Sequence, residues 1–284
     1  MITQLGIMVA SGAAFMLIMY TFIYGNKRWC DFWAKKRGLD VDHAIEEESN
    51  QAVALQRAGL YSGISIGMYG VISGPSTGFV SDVLSILSYG ALVSLFFLGA
   101  RTFNHNVVLR YVDNTAELKR NNVAVGWVEC GSYIATGIMA MSSMMGQGGN
   151  ALSSIGFFVI GQLLLLLIAV LYERTTKWSV REEIVKGNAA AGLLFAGLNV
   201  AVAVALHGAI ATDFVSWQYN LPFLLLEGTI AVVLMMILSR FVDWLFLPGT
   251  DIETEVVRDQ NVAAITVVVA MKVAGALAIS AAVI

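Results

Sequence analysis

The chain has 284 residues, 57% of them hydrophobic and 13% charged, with a formal net charge of -3. A water-soluble domain of this length would carry roughly twice that share of charge, so the composition excludes one. It also offers no basic patch with interleaved aromatics for nucleic acid. The class it points to is all-α and polytopic, embedded in a lipid bilayer.

The predicted elements are eight spanning helices, over 2–25, 50–73, 79–100, 120–145, 151–173, 186–210, 216–239 and 258–283. Each is near the ~20 residues that cross the hydrocarbon. No Lys or Arg precedes the first helix, and Lys27, Arg28, Lys35, Lys36 and Arg37 follow it. It therefore reads as a helix inserted with its N-terminus outside, rather than as a cleaved signal peptide.

The connections alternate in character. Those after helices 2, 4 and 6 are short and nearly uncharged, over 73–78, 146–150 and 211–213. Those after helices 1, 3, 5 and 7 are long and charged, and carry aromatics such as Trp29, Phe32, Trp33, Trp178 and Trp244. Of 17 Lys and Arg, all but Arg57 and Lys272 lie in or beside the long connections. That asymmetry places the long connections in the cytoplasm and both termini outside.

One pattern, Asn-x-Ala, opens each even-numbered helix: Asn50, Asn122, Asn188 and Asn261, at intervals of 72, 66 and 73. A recurring interval of this kind marks a repeated structural unit. The expected organisation is four parallel two-helix repeats, 1–73, 74–145, 146–210 and 211–284. Before each Asn stands a helix-start signal. Asp42, Asp113 and Asp251 each have Glu four residues on (Glu46, Glu117, Glu255), and Ser179 with Glu183 takes these places in the third copy. Asp and Ser are good N-caps, and early Glu suits the positive helix end. The motif Asn side chains are expected to cap helices or bond across them.

Aligned on the motif Asn, the even helices carry two stripes. Positions +2, +9 and +13 are all Gly or Ala, among them Gly59, Gly63, Gly131, Gly197 and Ala270. At 100° per residue they fall within about 40° of one another. Small residues let membrane helices approach closely, so this stripe is expected to pack, against a neighbouring repeat or another chain. The opposite face, +7 and +11, holds Arg57 and Tyr61, Glu129 and Tyr133, Phe195 and Asn199, Val268 and Lys272. Polar groups at membrane depth face the bundle interior or a water-filled cavity. The expected ion pairs are Arg57 with Glu129 and Lys272 with Glu227. They act either as static glue or as the lining of a path for a small ion between the even helices. All four units share one orientation, so inverted repeats are absent and alternating access is disfavoured.

Catalytic and metal-binding spacings are missing. His43, His105 and His207 are isolated, and no HExxH, paired CxxC, Walker loop or GxSxG occurs. The expectation is no enzyme, no metal and no cofactor. Cys30 and Cys130 are too few for a disulfide framework and are expected to be free thiols.

The run Glu183-Ile-Val-Lys-Gly-Asn-Ala-Ala-Ala-Gly192 resembles the signature of the bacterial inner-membrane proteins called domain of unknown function 350, or YjfL-like. Glu117 to Gly126 and Glu255 to Ile265 match it more loosely, and Glu46 to Leu55 is the most diverged. The resemblance covers the whole chain, as a fused double of a shorter four-helix form. It implies a multi-pass protein of the bacterial inner membrane with periplasmic termini, in a homo-oligomer or with related membrane subunits, near envelope-stress functions. It brings no catalytic residues or substrate. Two functions follow as expectations: passing or sensing a small ion through the polar interior, or a non-conducting scaffold that docks a cytoplasmic partner protein on the charged connections.

Overall fold

A computed structural model describes residues 2–107, 113–247 and 249–283, with the side chains of 2–5, 7 and 101–107 outside the description. The side chain of His105, and residues 108–112 of the second long connection, lie outside it. Among the described residues the chain is helical without strands: α1 (Ile2–Lys36), α2 (Val41–Glu46), α3 (Gln51–Ile72), α4 (Phe79–Val107), α5 (Asn114–Lys119), α6 (Val123–Met144), α7 (Ala151–Thr175), α8 (Val180–Val185), α9 (Ala189–Ile210), α10 (Trp217–Phe246), a π-turn (Thr254–Arg258) and α11 (Val262–Ala282). The chain is a polytopic membrane protein. Seven of these helices are long and apolar enough to cross a bilayer. The expected eighth, α3, has the length, but Gln51, Gln56, Arg57 and its glycines dilute its apolar character.

The first helix of each pair is longer than expected. α1 runs to Lys36, where residue 25 was the expected end, and α10 runs to Phe246, where 239 was expected. The apolar run ends where predicted, but the helix continues through the charged residues. Lys27 and Asp31, one turn apart at 2.8 Å, brace that continuation of α1.

The second helices form a row. α3 packs on α6, α6 on α9, and α9 on α11, and these are the most extensive contacts in the molecule. The first two seams run parallel, because their contacts advance together. Gly126 lies against Ala52, Gly59 against Cys130, and Gly63 against Tyr133. Likewise Gly192 lies against Ala124 and Gly131 against Ala196. The first helices line the row: α4 touches α3 and α6, α7 touches α6 and α9, and α10 touches α9 and α11. The first, α1, touches α3 and α4.

Glycine is required along the seams. A methyl built on Gly59 would stand 2.4 Å from Cys130 Cα, and one on Gly192 would stand 2.6 Å from Ala124 Cα. Both targets are backbone, so the helices would have to separate. Ala270 departs from the expected packing role. It is exposed, as are Ala263 and Ala274, because α11 ends the row and no further helix covers its small face.

Candidate functional site

Each of the four even-numbered helices of the expected repeats begins with the same construction. A short helix, or in the fourth repeat a π-turn, ends on a residue with left-handed backbone: Ser49 (φ 51), Asn121 (φ 58), Gly187 (φ 89) and Gln260 (φ 47). The motif Asn follows, extended in the first three copies, and in all four it caps the long helix. Its side-chain oxygen accepts from the backbone N–H three residues on, at 2.9 Å for Asn50 and 3.2 Å for Asn188.

The side-chain NH2 groups of three of these Asn residues reach the next repeat. Asn50 donates to the Leu118 carbonyl at 2.8 Å, Asn122 to the Ile184 carbonyl at 3.0 Å, and Asn188 to the Val256 carbonyl at 2.7 Å. The same amide also donates to a Glu of its own repeat: Asn122 to Glu117 at 2.8 Å, Asn188 to Glu183 at 2.9 Å, and Asn261 to Glu255 at 2.8 Å. Capping and cross-helix bonding are thus done by one side chain. Asn188 is 1% exposed, so both its partners lie out of water. The Asn188 bond, followed by Lys186, holds the Glu183 carboxyl below the ordinary glutamate range.

The sequence alone assigns these Glu residues to the helix start, as companions of the cap. Their contact with Asn could have been read from the spacing, five residues in the second and third copies. The first copy hid it. There the cap is Asp40, whose side chain accepts from His43 N, and not Asp42, which pairs with Lys27 at 2.9 Å. Counted from the true caps, Ala44 stands where the other repeats have Glu. The outer repeats also carry one extra residue between cap and Asn. It is absorbed by a wider turn, in which Asn50 N donates to Ala44 O and Asn261 N to Glu255 O, six residues back. In the inner repeats Asn122 and Asn188 reach five residues back, as in a Schellman helix end.

The polar face turns the other way from expectation. Arg57 pairs with Asp31 on α1, Nη2 to Oδ1 at 2.9 Å, and not with Glu129. Lys272 pairs with Asp243 on α10 at 3.0 Å, and not with Glu227. Both approaches are too bent for good hydrogen bonds, so they are charge contacts. Glu129 accepts from Asn114 of α5 at 2.6 Å. Each charge is met by its own repeat because the seams between even helices have no room for side chains of this size. Glu227 is half-buried and makes no ion pair with any described residue. Tyr133 is buried and stacks on Phe97, while Tyr61 is half-buried and its carbonyl accepts from Ser65 Oγ. Asn199 is half-buried on α9 and bonds to none of these charged groups.

The charges also sit at one end. Arg57 and Glu129 lie seven residues after their motif Asn and Lys272 eleven, or about 10 and 16 Å along the helices. Beyond them the four even helices carry no Asp, Glu, Lys or Arg. At the opposite end the short turns enclose a cleft of about 710 Å³. Its carboxylates serve the turns: Asp82 accepts from Thr77 N at 2.9 Å, and Asp213 from Gln147 N at 2.7 Å. His207 Nδ1 is 2.8 Å from Ser142 Oγ, which ties α9 to α6. His43 is exposed beside Glu48. Both cysteines are buried and unpaired. Among the described residues no three His, Cys, Asp or Glu side chains gather as a metal site.

The family model described as Domain of Unknown Function (DUF350) matches residues 1–144 and again 148–283. A "UPF0719 transmembrane protein" of Aquifex aeolicus (strain VF5) is 26% identical over 225 residues, covering 78% of this chain and 81% of that protein. No solved structure matches.

Proposed function

The chain belongs to the DUF350 family, and on that premise we propose that it is a non-conducting membrane scaffold. It stands in the bacterial inner membrane with both termini periplasmic, assembled with copies of itself or with related membrane subunits. A cytoplasmic partner protein docks on its charged, aromatic-bearing connections. Trp29, Phe32 and Trp33 are exposed there, with the Lys36 ammonium over the last two rings at 4.5 and 4.9 Å.

One observation carries this reading over ion passage. The first two seams between even helices are closed backbone to backbone and the third by Val269 on Gly197, while the charges of the even helices, Arg57, Glu129 and Lys272, are met within their own helix pairs near one end. An ion path is selected by rings of carbonyl or charged groups, and none of the four even helices supplies charge beyond its third or fourth turn. The test is ion flux in proteoliposomes of the purified chain. The expected result is flux no higher than in empty vesicles, for the wild type and for Lys272→Met alike. Wild-type flux well above that background, and altered by Lys272→Met, would overturn the proposal in favour of ion passage.

A further inference from the structure

The three seams of the helix row are one contact used three times. The residue nine after a motif Asn meets the residue eight after the next: Gly59 on Cys130, Gly131 on Ala196, Gly197 on Val269. In the first two seams the residue two after meets the residue four after the next: Ala52 on Gly126, Ala124 on Gly192. In all three the motif Asn reaches a carbonyl of the following repeat. Such a contact is heterologous, because the two faces it joins are different. A row built from it has one face of each kind left open, at opposite ends.

Both open faces are present. On α11, Ala263, Ala270 and Ala274 are exposed, and Asn261 donates only within its own repeat, to Glu255. On α3, Ala58 and Ser62 are exposed and Ala54 is half-buried. Ile45, five residues after the cap Asp40, holds the place of Leu118, Ile184 and Val256, and among the described residues its carbonyl accepts no Asn amide. The first helices report the same gap independently. α4, α7 and α10 each lie in a groove between two successive row helices, whereas α1 has α3 but no earlier row helix. In an 18-residue apolar stretch of each helix, between 22% and 39% of α10, α4 and α7 is buried, and none of that stretch of α1 is. The family model matching twice adds a further point: the α6–α9 seam already joins the two stretches that each match it.

We propose that the two open faces are one interface, between α11 of one copy and α3 of a second copy of this chain. The helices pack in parallel, as within the chain, so both copies keep the same orientation in the bilayer. In that register Ala270 meets Ala58 of the second copy, Ala263 meets its Ala54, and the Asn261 amide reaches its Ile45 carbonyl. α1 of the second copy then lies in the groove so formed. This inference rests on the self-assembly named above and specifies its faces.

The test is disulfide trapping in membranes, in a chain carrying Cys30→Ala and Cys130→Ala. One tagged copy carries Ala58→Cys and a differently tagged copy carries Ala270→Cys, so that only a contact between chains can join them. The expected result is a disulfide-linked pair bearing both tags. Neither variant alone should link, and Leu226→Cys, on the lipid-exposed side of α10, should link at least ten-fold less to Ala58→Cys. In parallel, Ala270→Trp should fold, with the melting temperature of the parent, yet lose the oligomer mass in lipid nanodiscs. Equal linking by the control pair, or linking of Ala270→Cys to itself, overturns the proposed faces. If an oligomer persists in nanodiscs without the mixed pair, only the head-to-tail register falls. If the chain is a monomer in nanodiscs, self-assembly falls with it.

Discussion

The side-chain amide of Asn122 donates to the carbonyl of Ile184, 3.0 Å away and 62 residues on in sequence. The same amide serves Glu117, and the Asn122 oxygen caps its own helix through Val125 N. One residue thus starts a helix, anchors the short helix before it and ties one repeat to the next. Removing it should be costly. Asn188→Ala, at the best-buried of these positions, should lower stability by about 1–3 kcal/mol, the range for leaving buried partners unsatisfied. Asn261→Ala, exposed at the end of the row, should cost about 1 kcal/mol or less, as an exposed cap whose bond to Glu255 water can replace. Thermal melts in detergent compare the two.

The seams give a second contrast. Gly192→Val would drive side-chain atoms into the Ala124 backbone and should destabilise by at least about 1–3 kcal/mol, as overpacking does. Ala270→Leu, chemically a larger change, meets no helix of its own chain. It should leave the melting temperature of the single chain within the scatter of surface changes, about 0.5 kcal/mol.

The charge pair of the last repeat is asymmetric. Lys272 is 7% exposed at its side chain and Asp243 is 26%. Asp243→Ala strands a buried ammonium and should cost towards the ~3–5 kcal/mol of a broken buried pair. Lys272→Met leaves a carboxylate that water still reaches and should cost less. The double change Asp243→Leu with Lys272→Met should recover most of the loss, which a three-variant melting series reads directly.

Acid should loosen the Asn ladder. The Glu183 carboxyl is held below its ordinary range by the Asn188 amide first and Lys186 second. A depressed folded-state value means that its stabilisation is fully present above the ordinary glutamate pKa. It is lost as pH falls through the lower folded-state value. Stability measured from pH 7 down to pH 3 should therefore decline at the acid end, and Glu183→Gln should flatten that decline.

Much of this was legible in the sequence. The Asn-x-Ala interval gave the starts of four helices, and the Gly59, Gly131 and Gly197 positions lie at the seams, because period and residue size are properties of the helix itself. The partners of Arg57 and Lys272 were not legible. Asp31 and Asp243 lie where the apolar run had ended and a loop was expected, yet the helix continues, and the direction in which a polar face turns is decided by packing rather than by periodicity. Ala270 shows a related limit. An aligned stripe treats every copy alike, and only the assembled row reveals which copy stands at the end.

The account stands on four helix pairs crossing the bilayer in the same sense, and labelling with a membrane-impermeant thiol reagent tests that most directly. In a chain carrying Cys30→Ala and Cys130→Ala, single cysteines replace the exposed Glu47, Arg181 and Asp259 at the motif end, and Thr77, Gln147 and Asp213 at the short turns. The first three should label only from the cytoplasmic side of sealed membranes, and the second three only from the other. If any residue of the first group labelled together with the second group, the common direction of the repeats would be contradicted.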